Sequence, residues 1–235
     1  MIKTVLFDLD GTLLPFEQED FVKLYFAELS KKLLPLGYDP QLTVKSVWAG
    51  TKAMIENDGS RTNSQAFWSV FNKLTEGLPD AKAACDEFYT QEFDRVKASL
   101  KYIPDRSADI RRIRDAGLRV VLATNPIFPA DGVKTRMEWV GLKPEDFELV
   151  TNYDNSSFCK PNPEYYREIL GKIGEKPESC LMVGNSVDED MEPALSLGMR
   201  VFFVSEFMEN PHGKDVSQYV RGGVSDAADY ALSLA

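Results

Sequence analysis

Short apolar runs that alternate with helix-like stretches constrain the fold of this chain more than any other feature. Residues 3–8, 119–124, 179–184 and 200–204 are rich in Val, Leu and Phe and too short for helices, so we interpret them as buried strands. Residues 147–150 are a weaker strand candidate. Strands that alternate with helices predict an α/β fold: a Rossmann-like three-layer core in which helices cover both faces of a parallel sheet.

Helical patterns occupy the stretches around these strands. They lie at about 105–116, 131–140, 162–173 and 189–197. A last helix is expected to begin after Ser225, with that residue as its N-cap.

Residues 16–100 interrupt the alternation, because no convincing strand occurs in them. Four helical patterns take their place, and Trp48 and Trp68 fall on apolar positions that are expected in a helical core. The patterns predict an all-α four-helix bundle, residues 16–100, inserted into an α/β core domain of residues 1–15 and 101–235. The four run from about Glu19 to Leu34, from Asp39-Pro40 to about Gly59, from a capping box at Thr62–Gln65 to about Gly77, and from about Pro79 to Leu100.

The composition excludes several classes of function. The chain carries 27 Lys and Arg against 37 Asp and Glu, a net charge of −10, and such a surface repels nucleic acid and anionic membranes. No apolar run approaches the ~18 residues of a membrane-spanning helix. Cys85, Cys159 and Cys180 are widely spaced and favour a reducing compartment over disulfides or a zinc site. We therefore expect a cytoplasmic monomer or small homo-oligomer with no nucleic-acid or membrane partner.

Polar side chains follow the predicted strands at the points where the strands end. Ligands of open parallel sheets bind beyond the carboxyl ends of the strands, so these side chains are expected to converge. Two neighbouring carboxylates repel each other unless a cation neutralises their charge. A hard divalent cation such as Mg²⁺ can do this, because it prefers oxygen ligands. The candidates are Asp8, Asp10, Thr124, Asn125, Lys160, Asn185, Asp188, Glu189 and Asp190.

Four ordered motifs resemble those of the haloacid dehalogenase superfamily: DLDGT, ATN, KPNPE and GNSVDED. The resemblance covers residues 4–14 and about 105–205, and the helical insert is similar to the cap that this superfamily places between its first and second motifs. It implies a Mg²⁺-dependent phosphatase that hydrolyses a small phosphorylated metabolite through an aspartyl-phosphate intermediate.

The resemblance also implies a role for each motif residue. Asp8 is the expected nucleophile, and Asp10 the general acid to the leaving oxygen and then the general base to water. The Asp8 carboxylate and the Asp10 backbone carbonyl are expected to bind Mg²⁺. Lys160 neutralises the phosphoryl oxygens and steadies Asp8, the Thr124 hydroxyl and nearby backbone N–H groups hold the phosphate, and Asn125 contacts the substrate.

Asn185 departs from the pattern of the superfamily, which usually has an acid at this position. An asparagine still offers a carbonyl oxygen, so we expect Asn185 to bind the metal with one negative charge fewer. Asp190 is expected to act on the metal through water. Asp188 and Glu189 are expected to be ordinary charges at a helix N-terminus.

The topology of the insert draws attention to one loop. In an up-down-up-down bundle the loop at 56–64 returns to the core domain, whereas the loops at 35–39 and 77–80 lie at the far end. Arg61 is the single arginine of the near loop and is predicted to bind an anionic or polar part of the substrate. The alternative is an exposed ion pair between Arg61 and an acid of its own loop.

Other functions remain open on the same scaffold. A phosphomutase would shield the phosphorylated aspartate from water, and a phosphonate hydrolase would need a Schiff-base lysine such as Lys23, Lys45 or Lys52. A dehalogenase needs no acid at position 10, so Asp10 argues against that reaction. A receiver domain would carry its aspartate on another strand and lack the insert. A catalytically impaired phosphate-binding module is the remaining alternative, and Asn185 would then be the first sign of lost activity.

Overall fold

The structure of the protein is a computed structural model that describes residues 1–15 and 17–235. The predicted boundary between the core domain and the insert, at residue 16, falls outside the described residues. The strands are β1 (Thr4–Phe7), β2 (Arg119–Leu122), β3 (Leu149–Val150), β4 (Cys180–Gly184), β5 (Arg200–Val204) and β6 (Arg221–Gly222). In the described part of the chain they form one sheet in the order β3-β2-β1-β4-β5-β6, and every neighbouring pair is parallel. The predicted α/β fold is confirmed.

Helices precede or follow each strand, as the alternating pattern predicts. They are α1 (Gln18–Leu33), α2 (Pro40–Ile55), α3 (Asn63–Leu74), α4 (Lys82–Gln91), α5 (Ser107–Asp115), α6 (Ala130–Trp139), α7 (Pro163–Ile173), α8 (Glu192–Ser196) and α9 (Val224–Ser233).

Alternate residues of the strands face two different layers of helices. Val5 and Phe7 of β1 belong to a core that includes residues of α5, α6 and α9, whereas Leu6 belongs to a core built with α7 and α8. All four residues of β1 are buried because both of its faces are covered. The sheet therefore forms the middle of three layers.

The insert between β1 and α5 contains four α-helices within residues 17–100. Helix α2 packs on α1 and on α3, and α4 packs on α1. The start signals in the sequence are confirmed: Asp39 accepts backbone hydrogen bonds at the start of α2, and Thr62 with Gln65 forms the capping box of α3. The predicted fourth helix is shorter than expected, because the α-helix ends at Gln91 and a 3₁₀ segment, Phe93–Ser99, follows.

The two ends of the insert lie where the topology places them. The Tyr38 hydroxyl donates to the Pro79 carbonyl at 2.7 Å, so the two far loops lie together. At the other end the backbone N–H of Asn63 donates to the Ser156 carbonyl at 2.8 Å. The loop at 56–64 therefore meets the core, as expected.

Two helix boundaries in the core domain also differ from the prediction. The last helix begins at Val224 rather than after Ser225, because the Asp226 carboxylate accepts from the Gly223 backbone N–H and fixes an earlier start. The expected helix at 189–197 begins instead as a π-helical turn, Val187–Met191, which continues into the short α8. No helix among the described residues combines the length and apolar character that crossing a membrane requires.

Candidate active site

A cavity of about 320 Å³ lies between the insert and the carboxyl ends of β1, β2 and β4. The sequence predicts a site at this edge, and most of the predicted residues line the cavity. They are Asp8, Asp10, Thr124, Asn125, Asn185 and Asp190. Lys160 is buried and contacts two of these carboxylates, whereas Arg61 does not line the cavity.

Lys160 joins the carboxylates of Asp8 and Asp190. Its Nζ donates to Asp8 Oδ1 at 2.7 Å and to Asp190 Oδ1 at 2.6 Å, and the lysine is 1% exposed. Burial lowers the pKa of Lys160, but the charges of Asp190 and Asp8 outweigh this effect and raise the pKa well above its usual value. Burial raises the pKa of Asp8 to about 8 even though Lys160 opposes it. The Asp8 carboxylate therefore needs more positive charge than Lys160 supplies.

Asp190 is held by the turn that follows β4. Its Oδ2 accepts hydrogen bonds from the backbone N–H groups of Asn185 and Ser186, each at 3.1 Å. Gly184 ends β4, and a Cβ at that position would overlap the Asp190 side chain. Glycine is thus the residue that lets Asp190 reach Lys160, and Asp190 fixes the position of the lysine. The expected contact between Asp190 and the metal through a water molecule stays a prediction.

Asp10 forms an ion pair with the buried Arg136, a contact that the sequence motifs do not predict. Arg136 Nη1 donates to Asp10 Oδ2, while Asp10 Oδ1 is buried without a hydrogen-bond partner among the described residues. The Arg136 guanidinium lies 4.2 Å from the centroid of the Phe128 ring, and its Nε donates to the Gly132 carbonyl at 3.2 Å. One carboxylate oxygen of Asp10 is therefore fixed and the other is available.

The sequence holds a weak signal for Arg136. Arg136 lies on α6 beside the buried Val133 and Met137, at the spacing of an apolar stripe, and it is itself fully buried. A charged residue on such a stripe is rarely buried unless a partner neutralises it. That partner, Asp10, lies in the loop after β1, more than a hundred residues away, so the stripe alone does not identify it.

The Asn185 amide is engaged at both ends. The Thr12 hydroxyl donates to Asn185 Oδ1 at 3.0 Å, and Asn185 Nδ2 donates to the Phe207 carbonyl at 2.7 Å. Gly11 has φ +84°, and a Cβ there would overlap the amide. An aspartate at position 185 would place an oxygen against the Phe207 carbonyl. This contact gives a structural reason for an asparagine where the resemblance leads us to expect an acid.

Thr124 and Asn125 continue the site beyond β2. The Thr124 carbonyl accepts from the hydroxyls of Thr151 at 2.7 Å and Tyr165 at 2.8 Å, which fixes the backbone here. Asn125 Nδ2 donates to Glu189 Oε2 at 3.1 Å, and its Oδ1 is buried without a partner in the described part of the chain. Thr124 and Asn125 thus present a hydroxyl and an amide to the cavity.

Glu189 belongs to the site, contrary to the expectation that it is an ordinary helix charge. It lines the cavity, and burial raises its pKa. The π-helical turn directs it inward, whereas the neighbouring Asp188 pairs with Lys214 at 2.6 Å away from the cavity. Asp188 thus lies outside the cavity, as expected for an ordinary charge of this turn, whereas Glu189 does not.

The donor set at this edge fits a hard cation. Burial raises the pKa of Asp8, Glu189 and Glu209, which all line the cavity, so the site lacks positive charge. No three acidic, histidine or cysteine side chains converge in a metal-binding arrangement in residues 1–15 and 17–235. A cation here would therefore take one carboxylate, from Asp8, with the Asp10 carbonyl and Asn185 Oδ1 as further oxygen ligands.

The opposite side of the cavity is an aromatic wall contributed by the insert. We use this name for Phe21, Phe26, Trp48, Phe67, Trp68 and Phe71, which all line the cavity. Trp48 is 48% exposed, so its predicted place in the bundle core is wrong, and Trp68 is only half-buried. Helical periodicity identifies an apolar stripe, but it does not distinguish a packed core from the lining of a cavity.

The loop at 56–64 contacts the core through Asn63 rather than Arg61. Asn63 is fully buried, and its Nδ2 lies within 3.3 Å of the carbonyls of Pro126 and Phe158. Arg61 is exposed, and its Nη1 lies 3.4 Å from the Ser69 hydroxyl. The structure therefore gives no support to the predicted contact between Arg61 and substrate.

Comparison with known proteins agrees with this geometry. Residues 2–198 match the haloacid dehalogenase-like hydrolase family. A glyceraldehyde 3-phosphate phosphatase of Methanothermobacter thermautotrophicus is 28% identical over 87% of this chain and 86% of its own. A phosphoglycolate phosphatase of Aliivibrio fischeri is 29% identical over 99% and 96%. The solved structure of a HAD phosphatase from Thermococcus onnurineus, 20% identical, shares the fold with a TM-score of 0.59 and covers 97% of both chains.

Proposed function

The chain belongs to the haloacid dehalogenase-like hydrolases, and from this premise we propose that it is a Mg²⁺-dependent phosphatase that forms an aspartyl-phosphate on Asp8. Like the relatives named as phosphatases, it is a phosphoric monoester hydrolase. One observation carries the proposal: Asp8 is buried against the charged Lys160 at the edge of a cavity and still has one carboxylate oxygen without a lysine contact.

In the first step Asp8 attacks the phosphorus atom of the substrate. Because Asp8 Oδ1 accepts from Lys160, Oδ2 is the oxygen that forms the new bond to phosphorus while the ester bond to the alcohol breaks. Lys160 offsets the negative charge of the phosphoryl oxygens. The Thr124 hydroxyl and the Asn125 amide hold those oxygens in line for attack.

Asp10 moves the proton in both steps. Its Oδ1, which has no partner in the described residues, protonates the departing alcohol oxygen. It then takes a proton from the water that attacks the phosphorus of the aspartyl-phosphate, which releases phosphate and restores Asp8. Arg136 holds the other oxygen, Oδ2, and so keeps the carboxyl group in place.

Mg²⁺, when bound, supplies the positive charge that the phosphoryl oxygens and the crowded carboxylates require. The residues that would hold it in this chain are Asp8, through its carboxylate, Asp10, through its backbone carbonyl, and Asn185, through Oδ1. The Phe207 carbonyl can only accept a hydrogen bond, so it fixes which end of the Asn185 amide carries the oxygen, and the Thr12 hydroxyl donates to that oxygen.

The insert, residues 16–100, acts as a cap over this site in our proposal. Its aromatic wall closes the cavity opposite the carboxylates and keeps bulk water away from the transfer step. Support comes from the contact of the loop at 56–64 with the core, which holds the insert against the site.

The structure disfavours a phosphonate hydrolase. That reaction needs a lysine beside the substrate, but Lys23, Lys45 and Lys52 are exposed and none of them lines the cavity. A phosphomutase would return the phosphoryl group to its substrate, so release of inorganic phosphate distinguishes the two.

The test is turnover by Asp8→Asn. We expect phosphate release with Mg²⁺ to fall by at least about a thousandfold, since an amide is a poor nucleophile. Asp188→Asn is the matched control, because this acid lies close in sequence but outside the cavity, and it should retain its activity. Acid-quenched wild-type protein should carry phosphate on the peptide that contains Asp8. A wild-type rate in Asp8→Asn would refute the proposal.

A further inference from the structure

The cavity extends well beyond the carboxylates, and this second part is mainly apolar, although Gln18 and Thr51 also line it. Its surface is the aromatic wall together with aliphatic side chains such as Leu29 and Val47. The phosphoryl group occupies the acidic edge, so the remaining volume receives the alcohol part of the substrate. The nature of this volume therefore decides which alcohol is accepted.

Among the described residues of the insert, no charged side chain lines this volume. Among the described residues that line the cavity there is no lysine or arginine. The hydroxyls of Tyr25 and Tyr89 hydrogen-bond to each other at 2.8 Å, and burial raises the pKa of both, so this pair stays neutral and satisfied. Burial raises the pKa of the Cys85 thiol to about 12, so this group is neutral as well.

We propose that the substrate is a phosphate monoester of a neutral, mainly apolar alcohol. The aromatic wall and the lack of a cation in the described lining carry this inference, which rests on the proposed phosphatase function. A carboxylate or second phosphate placed against this wall would lose its hydration without gaining a partner. A hydrocarbon group would instead exchange water for ring and aliphatic contacts.

This substrate class differs from those of the relatives. Phosphoglycolate carries a carboxylate next to its phosphate ester, and glyceraldehyde 3-phosphate is small and polar. The carboxylate would find no cation among the described residues of this wall, and the hydroxyl and aldehyde groups would face mainly rings and aliphatic side chains. We therefore expect this chain to share the reaction of those relatives but not their substrates.

Linear alkyl phosphates test the inference, because their chain length changes while the reactivity of the leaving alcohol stays similar. Ethyl, butyl, hexyl and octyl phosphate are primary monoesters of similar intrinsic reactivity. We expect kcat/KM to rise by about two- to fourfold per methylene until the cavity is filled, from ~0.8 kcal/mol per buried methylene. Phosphoglycolate and ethyl phosphate form a matched pair, and we expect at least about a tenfold preference for ethyl phosphate.

Each outcome separates the inference from the proposed function. Turnover that rises along the alkyl series supports both. A flat series with phosphoglycolate preferred over ethyl phosphate overturns the inference, while the phosphatase function stands. No release of phosphate from any of these monoesters, or from an aryl phosphate, overturns the proposed function itself.

Variants on helix α2 locate the effect in the wall. Trp48 lines the cavity, whereas Ile55 on the same helix does not, and the two side chains are 48% and 47% exposed. Trp48→Ala should lower the hexyl-to-ethyl ratio of kcat/KM by at least about threefold, and Ile55→Ala should leave it unchanged. Equal ratios in the two variants would contradict the inference.

A gain of function provides the complementary test. Thr51 lines the cavity on the same helix, and Thr51→Lys would add a cation to the wall. We expect the phosphoglycolate-to-ethyl ratio of kcat/KM to rise by at least about threefold in a variant whose melting temperature is close to that of the wild type. No change in this ratio would show that the missing cation is not what excludes anionic substrates.

Discussion

The acidic edge of the core and the aromatic wall of the insert face the same cavity but are built in different ways. At the acidic edge, Asp8, Asp190, Asp10 and Asn185 each have a specific hydrogen-bond or ion-pair partner. The wall is held by ring contacts, such as Phe26 against Trp48 with centroids 5.6 Å apart. Bond making needs fixed positions, whereas binding of an alcohol needs mainly shape and apolar area. Changes at the edge should therefore alter the rate for every substrate, and changes in the wall should alter the choice among substrates.

The largest expected effect comes from Lys160. Lys160→Met leaves the carboxylates of Asp8 and Asp190 buried without their cation, which costs about 3–5 kcal/mol of unfolding free energy and at least about a thousandfold in kcat. Lys214→Met is the control, because Lys214 pairs with acids at the exposed surface. Chemical denaturation and phosphate release measure both variants. A loss of activity confined to one long substrate would contradict the assignment of the rate to the acidic edge and of substrate choice to the aromatic wall.

The second-largest effect on the rate is expected from Arg136, which positions Asp10. Arg136→Gln should lower kcat by about 10- to 100-fold with little change in KM, and by the same factor for ethyl and hexyl phosphate. Arg136→Lys keeps a cation on α6 and should recover part of the rate. A rise in KM without a fall in kcat would show that Arg136 shapes the binding site instead.

Metal binding should depend on pH through Asp8. Burial raises its pKa from the ordinary 3.8 to about 8, so the folded protein keeps a proton that the unfolded chain has lost. The metal-free protein should therefore lose stability as the pH rises from about 4 to 8 and then level off. Because Mg²⁺ replaces that proton, it should raise the melting temperature more at pH 8 than at pH 6. Asp8→Asn should remove this difference, and an equal Mg²⁺ effect at both pH values would contradict it.

A smaller effect is expected where the two regions meet. Asn63→Ala removes the buried side chain that ties the loop at 56–64 to the core, and should lower the melting temperature by about 2–6 °C and raise KM several-fold. Arg61 lies in the same loop but is exposed, so Arg61→Ala should change neither the melting temperature nor KM. If Arg61→Ala raises KM and Asn63→Ala does not, the loop acts on the substrate directly.

The smallest effect concerns Asn185. Asn185→Asp adds a negative ligand and should lower the Mg²⁺ concentration for half-maximal activity by about two- to fivefold. The same change turns an oxygen toward the Phe207 carbonyl, so the metal-free variant should melt at a lower temperature than the wild type. An unchanged Mg²⁺ titration would mean that position 185 does not bind the metal.

The sequence predicts the acidic edge better than the wall for a physical reason. Asp8, Asp10, Thr124 and Lys160 lie in short motifs. The end of a buried strand fixes where Asp8, Asp10 and Thr124 must lie, and Lys160 comes shortly before the start of α7. Arg136 has no such marker, because its partner, Asp10, lies in a loop that is distant in the sequence. The wall has the pattern of an apolar stripe, but Trp48 shows that periodicity does not reveal which side of a helix meets a cavity.

The Arg61 prediction finds no support in the contacts of its loop and stays a prediction. The topology correctly predicts that the loop at 56–64 reaches the core, as the Asn63 contacts show. Which side chain of the loop points inward depends on local turns that the pattern of helices does not fix. The two-residue strand β6 escapes prediction likewise, because Arg221–Gly222 has no apolar run to mark it.

The central position of β1 in the sheet sets the order in which the chain can assemble. Its partners are β2, where Thr4 pairs with Arg119, and β4, where Thr4 pairs with Cys180. Both pairings close long loops, which slows folding. During synthesis the first strand leaves the ribosome well before either neighbour exists, and the insert is complete before β2 appears. We expect the helices of the insert to fold first and shorten the effective loop, so that the sheet forms late around a strand made first.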